Sequence, residues 1–285
     1  MYRPPSEADS LILQATIGCS YNECTFCAMY RDKNFRVRPF DELREEIVWA
    51  GEHVPGVRKV FLADGDALVA KASYLHRLLD ELNRTFPTLR RVSVYASPQS
   101  IQVRTVEEMR SLREAGLSLY YLGIESGDDQ ALEDMKKGVT ADEMIECGRK
   151  VHEAGVRLST MILLGAAGRK RSRTHAEASA RVVNAIQPRF VSTLVMSPVP
   201  GTPLGDRDDR GEFEHLTPVE LAAELRVFLA GLELNGTIFR SNHASNYLAL
   251  AGTLPKDRDR MVQALDGVLN DPENASFRPD WMRGL

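Results

Sequence analysis

Six apolar, β-branched runs recur along the 285-residue chain, separated by stretches whose apolar residues keep helical spacing, and that alternation leaves few folds open. The runs span 11–17, 57–62, 91–96, 117–124, 156–164 and 189–196. They are continuous rather than alternating, as expected of strands covered on both faces. Between them Leu75, Leu78, Leu79 and Leu82 repeat at helical spacing, as do Val106, Met109 and Leu112, and later Leu221, Leu225, Phe228 and Leu232. Such stripes face a core. Serial β–α units imply a parallel sheet with right-handed crossovers. The expected fold class is therefore α/β, a partial (β/α)6 TIM-like barrel with a C-terminal α/β extension. Residues 1–200 are expected to form the barrel and 201–285 an extension packed on it within the same domain.

Local signals set several boundaries. Thr105, Thr140 and Thr217 each stand three residues before a glutamate, the capping-box pattern, and Pro218 adds a proline at the first helical position. Gly116 and Gly155 stand where helices should end, each just before a strand. Beyond Pro200 the pattern weakens. Residues 201–216 read as a charged loop, 237–240 as a short strand and 257–269 as a final helix.

The 43% hydrophobic and 27% charged content is that of a soluble enzyme. No apolar stretch approaches the ~18 residues that cross a bilayer, and residues 1–7 lack the apolar core of a secretion signal, so a cytoplasmic location is expected. The net charge of −4 argues against a large field for nucleic acid or anionic lipid.

Three of the four cysteines, Cys19, Cys24 and Cys27, crowd into nine residues directly after the first strand. Clustering of this kind favours metal ligation over a disulfide framework. Three thiolates on one loop suit an iron–sulfur cluster with one iron left open. Structural zinc is the competing reading, but it wants four ligands, and the next histidine is His53 in a predicted helix. Cys147 stands alone on another predicted helix and reads as a small buried residue.

The loop resembles the signature of the radical S-adenosylmethionine (SAM) enzymes, C-x3-C-x2-C with an aromatic before the last cysteine. Phe26 fills the aromatic position, while the first gap here is one residue longer, C-x4-C-x2-C. The resemblance runs over about 8–200 and implies a [4Fe–4S] cluster on Cys19, Cys24 and Cys27 with SAM on its open iron. Several strand tips fit it. Asp64-Gly65-Asp66 resembles the Gly-Gly-Glu segment that holds the methionyl amino group, and two carboxylates suit an ammonium. An ordinary β–α turn with a capping Asp is the alternative. Glu125 and Ser126 end the fourth strand and, by resemblance, contact the ribose and methionine parts of SAM, with helix capping as the alternative. Gly165 lies in the small-residue tip of the fifth strand, which in the family serves adenine, and the acid that usually follows is missing. A basic run at 168–173 follows instead, read as a solvated loop or, alternatively, an anion contact. Met196 at the sixth tip is also assigned to the cofactor by resemblance. Pro200-Gly201-Thr202-Pro203 resembles the subgroup that contains oxygen-independent coproporphyrinogen dehydrogenase.

Residues 240–247 concentrate donors and acceptors, either as a surface turn or as a substrate contact. Arg240 and His243 are the candidate catalytic groups, and Asn242 and Asn246 candidate substrate contacts. His53, His76, His152, His175 and His215 read as structural or solvated. The implied activity is reductive cleavage of SAM to a 5′-deoxyadenosyl radical that abstracts hydrogen from a small-molecule substrate, with flavodoxin or ferredoxin as reductant. Modification of RNA or a peptide, and a non-catalytic iron–sulfur or zinc protein, are the alternatives.

Overall fold

The computed structural model describes residues 2–284. In chain order the elements are β1 (Leu11–Gln14), β2 (Thr16–Ile17), β3 (Arg36–Val37), α1 (Phe40–His53), β4 (Lys59–Ala63), α2 (Ala72–Thr85), β5 (Arg91–Ala96), α3 (Pro98–Gln102), α4 (Val106–Glu114), β6 (Leu117–Glu125), α5 (Asp129–Asp134) and α6 (Ala141–Glu153). They continue with β7 (Arg157–Leu164), α7 (Gly168–Ile186), β8 (Phe190–Val195), α8 (Pro203–Asp209), α9 (Pro218–Ala230), β9 (Thr237–Arg240), β10 (Ala251–Leu254) and α10 (Arg258–Asn270). Eight strands form one sheet in the order β1-β4-β5-β6-β7-β8-β9-β10. Pairing is parallel for β1 with β4, β4 with β5, β5 with β6, β7 with β8 and β8 with β9, while β10 runs antiparallel to β9.

The chain divides into two compact units that interleave along the sequence. The first comprises 1–22, 29–122 and 149–158. Its core is built where the apolar runs and stripes meet: Val60, Phe61 and Leu62 of β4 and Leu75, Leu78, Leu79 and Leu82 of α2 are all fully buried. Burying each such side chain is worth about 1.5–3 kcal/mol. The second unit comprises 23–28, 123–148 and 159–285. There Leu221, Leu225 and Phe228 of α9 are buried, and α9 packs on α7 and α10.

The run 11–17 does not stay one strand. The amide of Ala15 bonds back to Leu13 O, and Thr16 and Ile17 turn away to pair antiparallel with Arg36 and Val37. This two-stranded ribbon frames the loop that carries the cysteines. Residues 201–216, expected as a charged loop, contain α8. Thr202 Oγ accepts the Gly205 amide at 3.0 Å and Pro203 occupies the first turn, an N-terminal cap strong enough to start a helix among charges. The basic run 168–173 is likewise the first turn of α7 rather than a loop. The three threonine caps form as expected, and a fourth, Ser97 with Ser100, opens α3. Strand β10 was not legible beforehand, because Ala251, Gly252, Thr253 and Leu254 lack an apolar run.

Candidate active site

In the first unit, β4 ends at Ala63 and the next three residues lie against Gly18, Cys19 and Ser20. The Gly65 amide donates to Gly18 O at 3.1 Å. A Cβ on Gly65 would stand 2.9 Å from Cβ of Cys19 and 2.6 Å from the Tyr30 ring, so only glycine lets β4 lie this close to the loop. Asp64 and Asp66 are both fully buried, but their surroundings differ. Asp66 accepts from Ser20 Oγ at 2.5 Å, from the Ser97 amide at 3.1 Å and from Ser97 Oγ at 2.7 Å, which ties the loop to the β5 tip. Asp64 takes all its contacts through Oδ2: Gln14 Nε2 at 2.7 Å, the Gly18 amide at 3.4 Å and Lys33 Nζ at 3.9 Å. Its Oδ1 is buried with no hydrogen-bond partner. Cys19 belongs to this unit. The lengthened gap after it contains Asn22, whose φ of 49° lies in the left-handed region that Asn tolerates, with its side chain bonded to Tyr30 O at 3.0 Å.

Cys24 and Cys27 lie in the second unit, joined by a turn in which the Cys27 amide donates to Cys24 O at 3.4 Å. Thr25 between them is held on both sides, its amide on Met135 O and its carbonyl by the Leu204 amide, each at 3.0 Å. Phe26 is half-buried and Cys147 buried. Among the described residues, no three Cys, His, Asp or Glu side chains converge as around a single metal ion.

At the β6 tip Glu125 has φ of 65° and folds its carboxylate back toward the strand. Oε1 meets Lys137 Nζ at 3.1 Å in an ion pair buried on both sides, while Oε2 is buried and without a hydrogen-bond partner. Gly123 permits this, since a Cβ there would stand 1.9 Å from Oε1. The next residue, Ser126, bonds His175 Nδ1 at 2.7 Å and accepts the Asp128 amide at 3.0 Å. Asp128 is gripped by Arg171 through two bonds of 2.6 and 2.7 Å, which holds its carboxyl below the usual range. Gly165 at the β7 tip gives its amide to Glu224, and Met196 follows β8, both buried.

The segment 240–247 divides into surface and anchor. Arg240 and Asn242 are exposed, and Arg240 bonds its neighbour's carbonyl, Phe239 O, at 2.8 Å. Asn246 is buried and donates to Thr193 O at 2.7 Å, leaving Oδ1 without a partner beside a small, largely apolar cavity among Leu164, Val195, Leu221 and Leu225. His243 is half-buried. Its Nδ1 accepts the Ser245 amide at 3.1 Å, and burial first, with Arg278 nearby second, pushes its pKa down.

Sequence reasoning missed four members of these networks: His175, which is fully buried, together with Glu224, Lys137 and Asp128. One signal was there to be found. Glu224 sits on the apolar stripe of α9, between Leu221 and Phe228 at three- and four-residue spacing.

A family model, the radical SAM superfamily, matches residues 13–171, more than half of the chain. This chain belongs to the radical SAM superfamily. The E. coli coproporphyrinogen III oxidase, itself a radical SAM enzyme, superposes with a TM-score of 0.60 at 16% identity, covering 78% of this chain and 52% of that one. Methylornithine synthase superposes at 0.56 with 17% identity, covering 80% and 64%. The fold is thus the TIM-like barrel of radical SAM enzymes. In sequence, the tRNA-2-methylthio-N(6)-dimethylallyladenosine synthase of Nitrosomonas europaea is 26% identical over 219 residues, which are 72% of this chain and 48% of the relative. The chain spans about half the length of that relative.

Like other radical SAM proteins it is an enzyme that uses a [4Fe–4S] cluster and SAM. The chain's own chemistry fits both. Three thiols share one loop, and two buried acids at strand tips each keep an acceptor oxygen unused, which costs about 1–3 kcal/mol unless a ligand donor meets it. Among the described residues no helix is long and apolar enough to cross a membrane.

Proposed function

We propose that Cys19, Cys24 and Cys27 hold the cluster, with Phe26 beside it, and that the tips of β4, β6, β7 and β8 bind SAM. When bound, the pair supplies one-electron cleavage of the sulfonium and a carbon radical able to take hydrogen from a substrate. Asp64 would accept the methionyl ammonium through Oδ1, and Gly65 would allow the close approach. Asp66, with both oxygens engaged, positions the loop and the β5 tip. Glu125 would accept from SAM through Oε2, with Ser126 held beside it, and Gly165 and Met196 would help hold the adenine. The observation that carries this reading is the pair of unused oxygens on Asp64 and Glu125.

Substrate contact falls to 240–247. Asn246 offers its Oδ1, Arg240 and Asn242 offer exposed donors, and His243, kept neutral near pH 7, holds or passes a proton through Nε2. The substrate is a small molecule, and a flavodoxin or ferredoxin supplies the electron. A second reading, modification of RNA, is supported by the Nitrosomonas relative, whose name gives a tRNA product. Anaerobic reconstitution, reduction and measurement of 5′-deoxyadenosine tests the activity, run with and without added tRNA. Iron-loaded, reduced protein that leaves SAM intact would refute it, and product formation stimulated only by tRNA would favour the second reading.

A further inference from the structure

Glu224 is an acid where α9 should be apolar. Its side chain is completely buried, and its contacts all lie on the β7 tip or α7. Oε1 accepts the Gly165 amide at 2.7 Å, and Oε2 takes the Ser172 hydroxyl at 2.5 Å. His175 Nε2 stands 3.7 Å from Oε1, beyond hydrogen-bond reach and without a hydrogen-bond partner, while its Nδ1 bonds Ser126 at the β6 tip. An acid buried without a full counter-charge is costly, and burial pushes Glu224 up to about 7 and His175 down to about 4. The remaining charges around them are the Asp128–Arg171 pair behind Ser126 and the Arg169–Glu220 pair at the solvent edge of α7 and α9.

Packing alone does not ask for this arrangement, since leucine would fill the same site at less cost. The loop after β7, Gly165-Ala166-Ala167-Gly168, carries no acid of its own, and Gly165 has φ of 79°, so the strand does not dictate where its amide points. We infer that Glu224 is a positioning residue for SAM: from α9 it fixes the Gly165 amide and so sets the β7 tip against the ligand. The inference builds on the placement of SAM at the β6 and β7 tips.

Calorimetric SAM affinity of the cluster-loaded enzyme tests it, measured from pH 6 to 8 for the native protein, Glu224→Ala, Glu224→Gln and Glu125→Ala. Glu224→Ala should bind about tenfold more weakly across the range, the loss expected when a buried amide loses its acceptor. The native enzyme should gain affinity as pH rises through 7, because an ionised acceptor holds the amide more firmly. Glu224→Gln, whose amide oxygen still accepts, should stay within a few-fold of native at pH 6 and lose the pH step. A purely packing role would leave no such step to lose. If Glu125→Ala weakens binding while Glu224→Ala does not, the positioning role is overturned and the SAM site stands. If neither matters, the SAM placement itself fails. Should Glu224→Ala not fold, an undiminished pH step in Glu224→Gln overturns the inference alone.

Discussion

Asp64 and Asp66 are two residues apart, equally buried and chemically identical, yet they take different parts. Asp66 is saturated by Ser20 and Ser97, whereas Asp64 keeps one oxygen in hand. The sequence shows two acids around a glycine and suggests an ammonium site. It does not show which acid is engaged, because Ser97, the cap of α3, lies 31 positions away. The cysteines are different: their spacing needs no tertiary partner to be read. Cys27→Ala should lose its iron while the far-ultraviolet circular dichroism stays native, because the turn is also held by backbone bonds of Thr25 to Met135 and Leu204. A variant with its full complement of iron would remove Cys27 from the ligand set.

At the scale of elements, apolar runs mark six strands of the sheet, most directly β4 and β6, where burial on both faces writes itself into composition, while edge strand β1 is mostly half-buried and β8 alternates. Short elements were not legible: β10 exists by pairing with β9, a tertiary contact, and α8 by one local cap, Thr202, at the head of a charged segment. The turn Pro5–Glu7, like β10, is held by distant residues. Its Glu7 is fully buried and accepts from Ser10 Oγ at 2.5 Å, from Tyr121 of β6 at 2.5 Å and from Arg91 of β5 at 2.7 Å. That anchor joins a turn to two strands, and the phenol beside it is driven well above its ordinary pKa by burial and the carboxylate. Glu7→Ala strands a largely buried guanidinium and should cost about 3–5 kcal/mol in urea unfolding. A loss below about 1 kcal/mol would show that the three donors find other acceptors.

The stability of the whole molecule carries the mark of Glu224 and His175. Glu224 is raised from 4.5 to about 7, so its stabilising share is complete below 4.5 and disappears as pH climbs through 7. His175 is lowered from 6.5 to about 4, so its share is complete above 6.5 and disappears as pH falls through 4. Between about 4.5 and 6.5 the folded pair holds one proton on the acid, and the unfolded pair holds one on the imidazole, so together they add no slope. Glu224→Gln should therefore gain stability with pH from about 4 to 6.5, and His175→Gln should lose it from about 4.5 to 7, each by up to ~1.4 kcal/mol per pH unit. Chemical denaturation at a series of pH values reads both, and parallel curves for the two variants would show that burial does not shift the two groups in opposite directions. The close seat of Gly65 against Cys19 and Tyr30 has a further consequence for anyone varying this chain. Mutagenic libraries that randomise position 65 independently of the ligand loop would return mostly dead clones, so the two segments need to be diversified as one block.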